Sequence, residues 1–536
     1  MPPRRPAGGR HGNAPGRRAP DKANQDETMI LSEFPTAEEV AGAAGRVIPA
    51  GVKILADTET PVSVLARFDK REKSLFLLES AEGGEQRGRY SFLGIDARLT
   101  ATVYREDVVV REGLDERRIQ HGGDPMAVLR SIVAPLKLAE VRGLPKTCAG
   151  LAGYFAYEMA HFFEPRVPNK LPADRPLAEL MMPRSMLVFD NVEQALYAVS
   201  FAFPGDAPDV PSSIRAARRR VADILEILAE PAPVPAAAGE PLAPLRPTHS
   251  PEYYKGMVAE VKKHVVEGDL IQCVPSQSFV TTAPKDPVAL YRVQRFVNPS
   301  PYLYYFKLEG VTLVGSSPET MIKLDGRTAC LRPIAGTRPR GKTEQEDRAL
   351  ADGLLADEKE RAEHLMLVDL GRNELGRVSI PGTVQVVELM AVERYSHVMH
   401  LVSKVVSELE DGRDAFDLFP SAFPAGTLSG APKVRAMELI AELEDEPRGP
   451  YGGAVGYFAF DGGMDFAICI RTTMIEHGRL VARAGGGIVY DSVPETEYQE
   501  TVNKAGAIAR TVALLGSARS TEEEIARLRA DVEVRQ

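Results

Sequence analysis

GLAGYFAYEM (150–159) and GAVGYFAFDG (453–462) are one kind of segment written twice, far apart in the chain. Each is a short apolar run mixing glycines with aromatic rings, the pattern of a buried strand. The echo hints that the two halves share a sheet architecture, although two aromatic strands also resemble one another by chance. Around the first copy, VKILAD, SLFLLES, RYSFLG, ARLTATVY and DVVVREG read as strands, after a helical opening in ILSEFPTAEEVAGAA. A helix is expected at PMAVLRSIVAPL, strands at MLVFD and ALYAVSFAF, and a long helix over 212–230. PAPVPAAAGEPLAPLRP (231–247) has the composition of a linker. Beyond it, SPEYYKGMVAEVKKHVVEG opens with Ser250 and closes on Gly268, good cap chemistry at both ends. The strands SQSFVTT, YLYYFKLEG and VTLVGSS then alternate with helices, so the fold reads as α+β with large antiparallel sheets.

The expected division is a tail over 1–28, a first region over 29–230, the linker, a second region over 248–518, and a charged helix or tail over 519–536. The first 28 residues are rich in Pro, Gly and Arg, too poor in apolar side chains to offset the entropy of folding, and read as disordered. A targeting segment, or a start at Met29, accounts for them equally well. The chain has 536 residues, 44% of them apolar, and a net charge of −10. That is ample for a core and unsuited to neutralising a nucleic-acid backbone. The four cysteines form no C-x-x-C pair, so neither a zinc site nor a disulfide framework is suggested and a reducing cytoplasm fits. No apolar run approaches the roughly 20 residues that span a bilayer, so no membrane is expected.

The chemistry is carried by acidic pairs. In DEKERAEHLMLVDLGRNELG (357–376), Glu360 and Glu363 lie three apart on one helix face, where like charges repel unless a cation joins them. In SVPETEYQETVNKAGAIARTVALL, Ser492 and Glu495 fit a capping box, Glu497 and Glu500 repeat the pair, and Lys504 follows one turn later. Either pair alone is more often a solvated helix face than a metal site. Together they offer hard oxygen ligands of the kind that suit Mg2+.

KERAEHLMLVDLGRNELG, PIAGTRPRG (333–341), FPAGTLSGAPK (423–433), GPYGGAVGYF (449–458), AICIRTT (467–473), AGGGIVYDS (484–492) and ETEYQETVNKA (495–505) together resemble the chorismate-utilising enzyme family, and within it the anthranilate synthase large subunits. The resemblance covers almost all of the second region, in the family's order. It implies large antiparallel sheets packed in a sandwich with helices outside, and conversion of chorismate and ammonia to anthranilate and pyruvate. By that resemblance Glu363 and Glu500 contact Mg2+, helped by Glu360 and Glu497. Gly336, Thr337, Tyr451, Arg471, Gly485, Gly486, Gly487 and Lys504 bind chorismate, Glu319 is the general acid, and His400 and Thr427 lie near the ring. Arg471 offers a carboxylate a bidentate fork, and the glycine run lets backbone N–H groups approach an anion.

Relatives that add water at C2 carry an activating lysine where this chain has Gln272, and aminodeoxychorismate synthases resemble PIKGT where it has Ala335. Both positions favour ammonia addition to give anthranilate. An aminodeoxyisochorismate synthase, an aminodeoxychorismate synthase or a noncatalytic tryptophan-binding relative are the alternatives. None of the four cysteines sits in a glutaminase motif, so a glutamine amidotransferase subunit is implied as partner. LLES (77–80), RYSFLG (89–94) and NPSPY (298–302) resemble the family's tryptophan feedback site, with Glu79, Ser80, Pro299, Ser300 and Pro301 around the inhibitor.

Overall fold

The structure, a computed structural model, describes residues 29–80, 88–146, 149–233, 242–395 and 398–517. The expectations for 1–28, for 519–536 and for residues 234–241 of the linker lie outside these residues.

Strands buried on both faces explain the long apolar runs. In Tyr302–Leu308, Leu303 and Tyr305 join a core shared with helices, whereas Tyr304 and Phe306 point into a second core on the opposite side. Its neighbour Leu75–Glu79 sorts Leu75 and Leu77 from Phe76 in the same way. Next in that sheet come Val311–Ser317, Thr472–Glu476, Arg479–Gly485 and Ser276–Thr282, all antiparallel. The second sheet runs Gly150–Phe155, Ala454–Ala459, Met464–Ile468, Thr320–Asp325, Thr328–Leu331 and Val398–Glu408, again antiparallel.

Two long strands, Tyr90–Val103 and Ala178–Asp190, belong to both sheets. They pair along their length with a register shift between Ala97 and Leu99, and Asp96 there takes a φ of 51°. On one side of the bulge Tyr90–Val103 pairs with Leu75–Glu79 of the first sheet, and on the other side Ala178–Asp190 pairs with Gly150–Phe155 of the second, so the bulge is the corner at which the sandwich turns.

The echoed segments share a sheet in the most direct way: they are adjacent, with Gly153 opposite Gly456 and Phe155 opposite Ala454. Helices cover the outside. Leu65, Ile224, Leu290 and Val512 pack on the face of the first sheet that carries Leu77 and Tyr305. Phe416 stacks on Phe458 at 4.3 Å and Phe419 approaches Phe155 at 4.6 Å, seating the helix Ala415–Ala422 on the second sheet.

Three local readings change. Ile30–Phe34 is a strand paired with Ile48–Leu55, and only Ala37–Ala41 of the expected helical opening is helix, started by a Thr36/Glu39 capping box. The long helix is Val210–Leu228, capped by Asp209 two residues earlier than expected. The end of the linker, Arg246–Pro247, pairs with Ser276–Thr282. Among the described residues no helix is long and apolar enough to cross a membrane.

Candidate active site

The two acidic helices, Glu358–Gly376 and Pro494–Ser517, converge at their N-terminal turns. Lys359 of the first reaches Asp491, just before the second, at 3.2 Å. The Glu363 carboxyl is pushed up, first by burial and further by Glu360 and by Glu500 of the other helix, while a hydrogen bond from Gln272 opposes the rise. Glu497 is raised by burial and by Glu500.

Donors stand against these carboxylates. Arg338 bridges Glu360 at 2.9 Å and Asp357 at 2.8 Å, Lys504 lies 2.7 Å from Glu500, and Gln272 Nε2 donates to Glu363 over 3.2 Å. Glu497 Oε2 is buried without a hydrogen-bond partner among the described residues. Three of these carboxylates do not close within 4.8 Å of one another, as only His264, Glu267 and Asp269 do among the described residues. A set of mutually repelling carboxylates with one orphaned buried oxygen fits a hard dication that keeps part of its water shell. The expected capping box differs in detail: the helix starts at Pro494, and the Ser492 hydroxyl accepts from the Val489 amide and supports Glu497.

The sheets supply the remaining wall. The glycine run follows the strand Arg479–Gly485 and is packed so tightly that side chains there would collide. A Cβ on Gly487 would stand 2.3 Å from Gln272 Nε2, one on Gly485 would stand 3.1 Å from the Tyr451 hydroxyl, and one on Gly486 would stand 3.3 Å from Glu497 Oε2. Lys504 donates to the Gly485 carbonyl at 2.9 Å, tying the run to the Pro494–Ser517 helix.

Across the site, Gly336 sits at a register shift of Ile334–Pro339 with φ 66°, and a Cβ there would be 3.2 Å from Glu360 Oε2. His400 Nδ1 lies 3.1 Å from the Gly336 carbonyl and 3.0 Å from the Thr337 hydroxyl. A carbonyl only accepts, so Nδ1 carries the proton and Nε2 keeps a free lone pair. Burial, with Arg471 adding to it, holds this imidazole below its usual pKa, so it is neutral near pH 7.

Arg471 occupies the left-handed region at φ 48°, and its carbonyl accepts from Gln294 at 2.8 Å and from the Ser316 amide at 3.2 Å. A non-glycine residue held there by its surroundings is a conformation typical of functional sites. Glu319 is buried nearby and its carboxyl is pushed up to about 8, chiefly by burial, with Glu374 adding and Thr427, Arg471 and Lys504 opposing. The Thr427 hydroxyl is close enough to oppose that rise but forms no well-shaped hydrogen bond.

The strand that ends at Glu79 and the strand that follows the Pro299–Pro301 turn are neighbours in the first sheet. Leu303 pairs with Glu79, which brings Ser80 alongside the Pro299–Ser300–Pro301 turn. Glu79 is buried, accepting from the Tyr291 hydroxyl at 2.5 Å and from Arg295 at 3.1 Å.

Sequence reading passed over Arg338, Tyr291 and Arg295. Arg338 lies inside the quoted PIAGTRPRG, where a base beside an anion-binding turn was the available signal. Tyr291 and Arg295 are one turn apart on the helix Pro287–Val297, and nothing local marks them.

A family model described as chorismate binding enzyme matches residues 76–510. The chain therefore belongs to the chorismate binding enzymes. Within that family its relatives include the protein named anthranilate synthase component 1 of Pseudomonas putida, 44% identical over 87% of this chain and 95% of the relative. The protein of the same name from Cereibacter sphaeroides is 44% identical over 85% and 93%. Anthranilate synthase component I of Streptococcus pneumoniae, a crystal structure, superposes with a TM-score of 0.71 at 35% identity, covering 79% of this chain and 92% of that one. The fold is shared more widely: a menaquinone-specific isochorismate synthase of Escherichia coli matches with a TM-score of 0.65 at 20% identity over 87% of this chain and 94% of that one.

Proposed function

We propose that this chain is the large, chorismate-converting subunit of an anthranilate synthase, acting in the cytoplasm. It adds ammonia at C2 of chorismate with loss of the C4 hydroxyl, then eliminates pyruvate. One observation carries the choice of nucleophile: the group that touches Glu363 is the amide of Gln272, which has no basic nitrogen with which to activate water. Ammonia needs no such base, and Ala335 offers no nucleophile of its own.

Arg471 takes a substrate carboxylate in its fork, and the glycine run Gly485–Gly487 lies against the same anion with Lys504 and Tyr451 around it, although the Gly486 amide is given to the Pro275 carbonyl at 3.3 Å. Gly336 and Thr337 bound the ring from the opposite side. Glu319, protonated because it is buried, donates its proton to the departing C4 oxygen, with Thr427 beside it. His400 Nε2, left unprotonated by the Gly336 contact, removes the C2 proton as pyruvate leaves. Glu363 and Glu500, with Glu360 and Glu497 in support, would hold Mg2+, which would supply positive charge for the substrate's ring carboxylate. Ammonia arrives from a glutamine amidotransferase subunit, because at neutral pH free ammonia is mostly ammonium. L-Tryptophan binds between Leu75–Glu79 and the Pro299–Pro301 turn and inhibits.

Purified protein given chorismate, Mg2+ and an ammonium salt should yield fluorescent anthranilate. Isochorismate, 4-amino-4-deoxychorismate or an aminated intermediate that retains pyruvate, identified by mass, would overturn the assignment. Glu500→Gln should abolish turnover and weaken Mn2+ binding followed by electron paramagnetic resonance. Ser80→Phe should leave activity in place and remove tryptophan inhibition; unchanged inhibition would place the effector elsewhere.

A further inference from the structure

Glu319 has two sides. The charges of Arg471 and Lys504, on the proposed substrate side, act on one. The other lines a cavity of about 40 Å³ that extends between the helix Glu358–Gly376 and the 422–427 segment to Glu374. That is room for roughly two or three water molecules. Its lining includes Thr427 and Arg332, whose Oγ1 and Nε are both buried without a hydrogen-bond partner among the described residues. Buried polar atoms of this kind are ordinarily satisfied, so the cavity calls for a small polar occupant. At its far end Glu374 is ion-paired with Lys433, whose ammonium also donates to the Pro424 carbonyl at 2.7 Å. Glu374 is buried, which raises its carboxyl, with Lys433 opposing, and the chemistry described above gives this pair no task.

We propose that this cavity holds a short chain of water linking Glu319 to the Glu374–Lys433 pair, and that Glu319 regains its proton from this side. The inference rests on the proposed role of Glu319 as the acid. In each turnover the Glu319 O–H bond breaks and its proton forms water with the C4 oxygen, leaving a carboxylate. Substrate and Arg471 close the front. A cavity water then gives a proton to Glu319 and takes one from the proton held between Glu374 and Lys433, and that pair is replenished from solvent. The proton shed by the added ammonia as the C–N bond forms balances the one lost to water, so no outside acid is needed. Glu374 and Lys433 touch no substrate and act only through Glu319.

Two variants test this in the full chain with ammonium as nitrogen source. Glu374→Gln keeps the shape and removes the carboxylate that passes the proton between Lys433 and the water chain. Gly371→Ala narrows the cavity, and its Cβ would meet Leu331 and Pro333 at 3.4 and 3.7 Å, ordinary contact that leaves the fold undisturbed. Both should lower kcat, Glu374→Gln by roughly ten- to a hundredfold, with KM for chorismate unchanged. Both should raise the solvent deuterium isotope effect on kcat, and formic acid should restore part of the Glu374→Gln rate but none of the wild-type rate. Unchanged kcat in both variants, or a lowered kcat with neither a larger isotope effect nor formate rescue, overturns the relay. Product identity in the wild type tests the enzyme assignment separately, because the isotope effect is read on whichever chorismate product forms.

Discussion

Glu319 carries the pH dependence expected of the first chemical step. Its carboxyl is raised to about 8 by burial and by Glu374, against Thr427, Arg471 and Lys504, so it is mostly protonated at pH 7. The acid is required in its protonated form, so activity should be full below that value and fall as pH rises through it. Glu319→Gln should lower kcat by about 10²- to 10⁴-fold and erase this limb of the kcat profile, read by anthranilate fluorescence between pH 6 and 9.5. In the sequence Glu319 is one glutamate after a proline in GSSPE, and only the family resemblance singled it out. Its burial raises its carboxyl, and the residues that line the adjoining cavity with it, Ile468, Leu367 and parts of the 422–427 segment, are drawn from separate parts of the chain.

Helix periodicity placed Glu360 with Glu363, and Glu497 with Glu500, on shared helix faces, because a three-residue spacing is a local property. That the two helices meet is not local, and it decides whether these are solvated faces or a cation site. The glycine run shows the same division. Three glycines in sequence announce close backbone approach, but what approaches is Gln272, from a two-residue strand paired with Gly430–Ala431. Gly487→Ala should therefore push the Gln272 amide off Glu363. Losing a hydrogen bond to a charged group costs about 1.5–3 kcal/mol, so kcat/KM for chorismate should fall about tenfold or more while the thermal midpoint stays in place. A wild-type kcat/KM would show that the amide has another place to go.

Across the whole molecule, a buried ion network fastens the site to both regions. Glu444 accepts from the Ser276 amide and hydroxyl, from Arg448 and from Arg483. Burial raises its carboxyl, but Arg448 and Arg483 outweigh that and hold it below its usual value. Glu158 of the first region accepts from the Arg448 and Gly449 amides, and Gly449 opens the turn that carries Tyr451. Removing one member of a buried pair leaves uncompensated charge, so Glu444→Gln should lower unfolding stability by about 3–5 kcal/mol, measured by denaturant midpoint. A loss under 1 kcal/mol would mean that the two arginines find other acceptors. The sequence by itself determined the α+β class, the period-2 and helical patterns, the two acidic pairs and the family, since these depend on neighbours a few residues apart or on motifs. It misread Ile30–Phe34 because an isolated edge strand has no local signal stronger than the capping box beside it. Only the tertiary structure decided that GLAGYF lies against its distant echo, that two helices over a hundred residues apart approach one another, and that the Glu319 carboxyl is raised while the His400 imidazole is lowered. Burial and cross-chain partners set those properties, and both are created by contacts between residues that the sequence keeps apart.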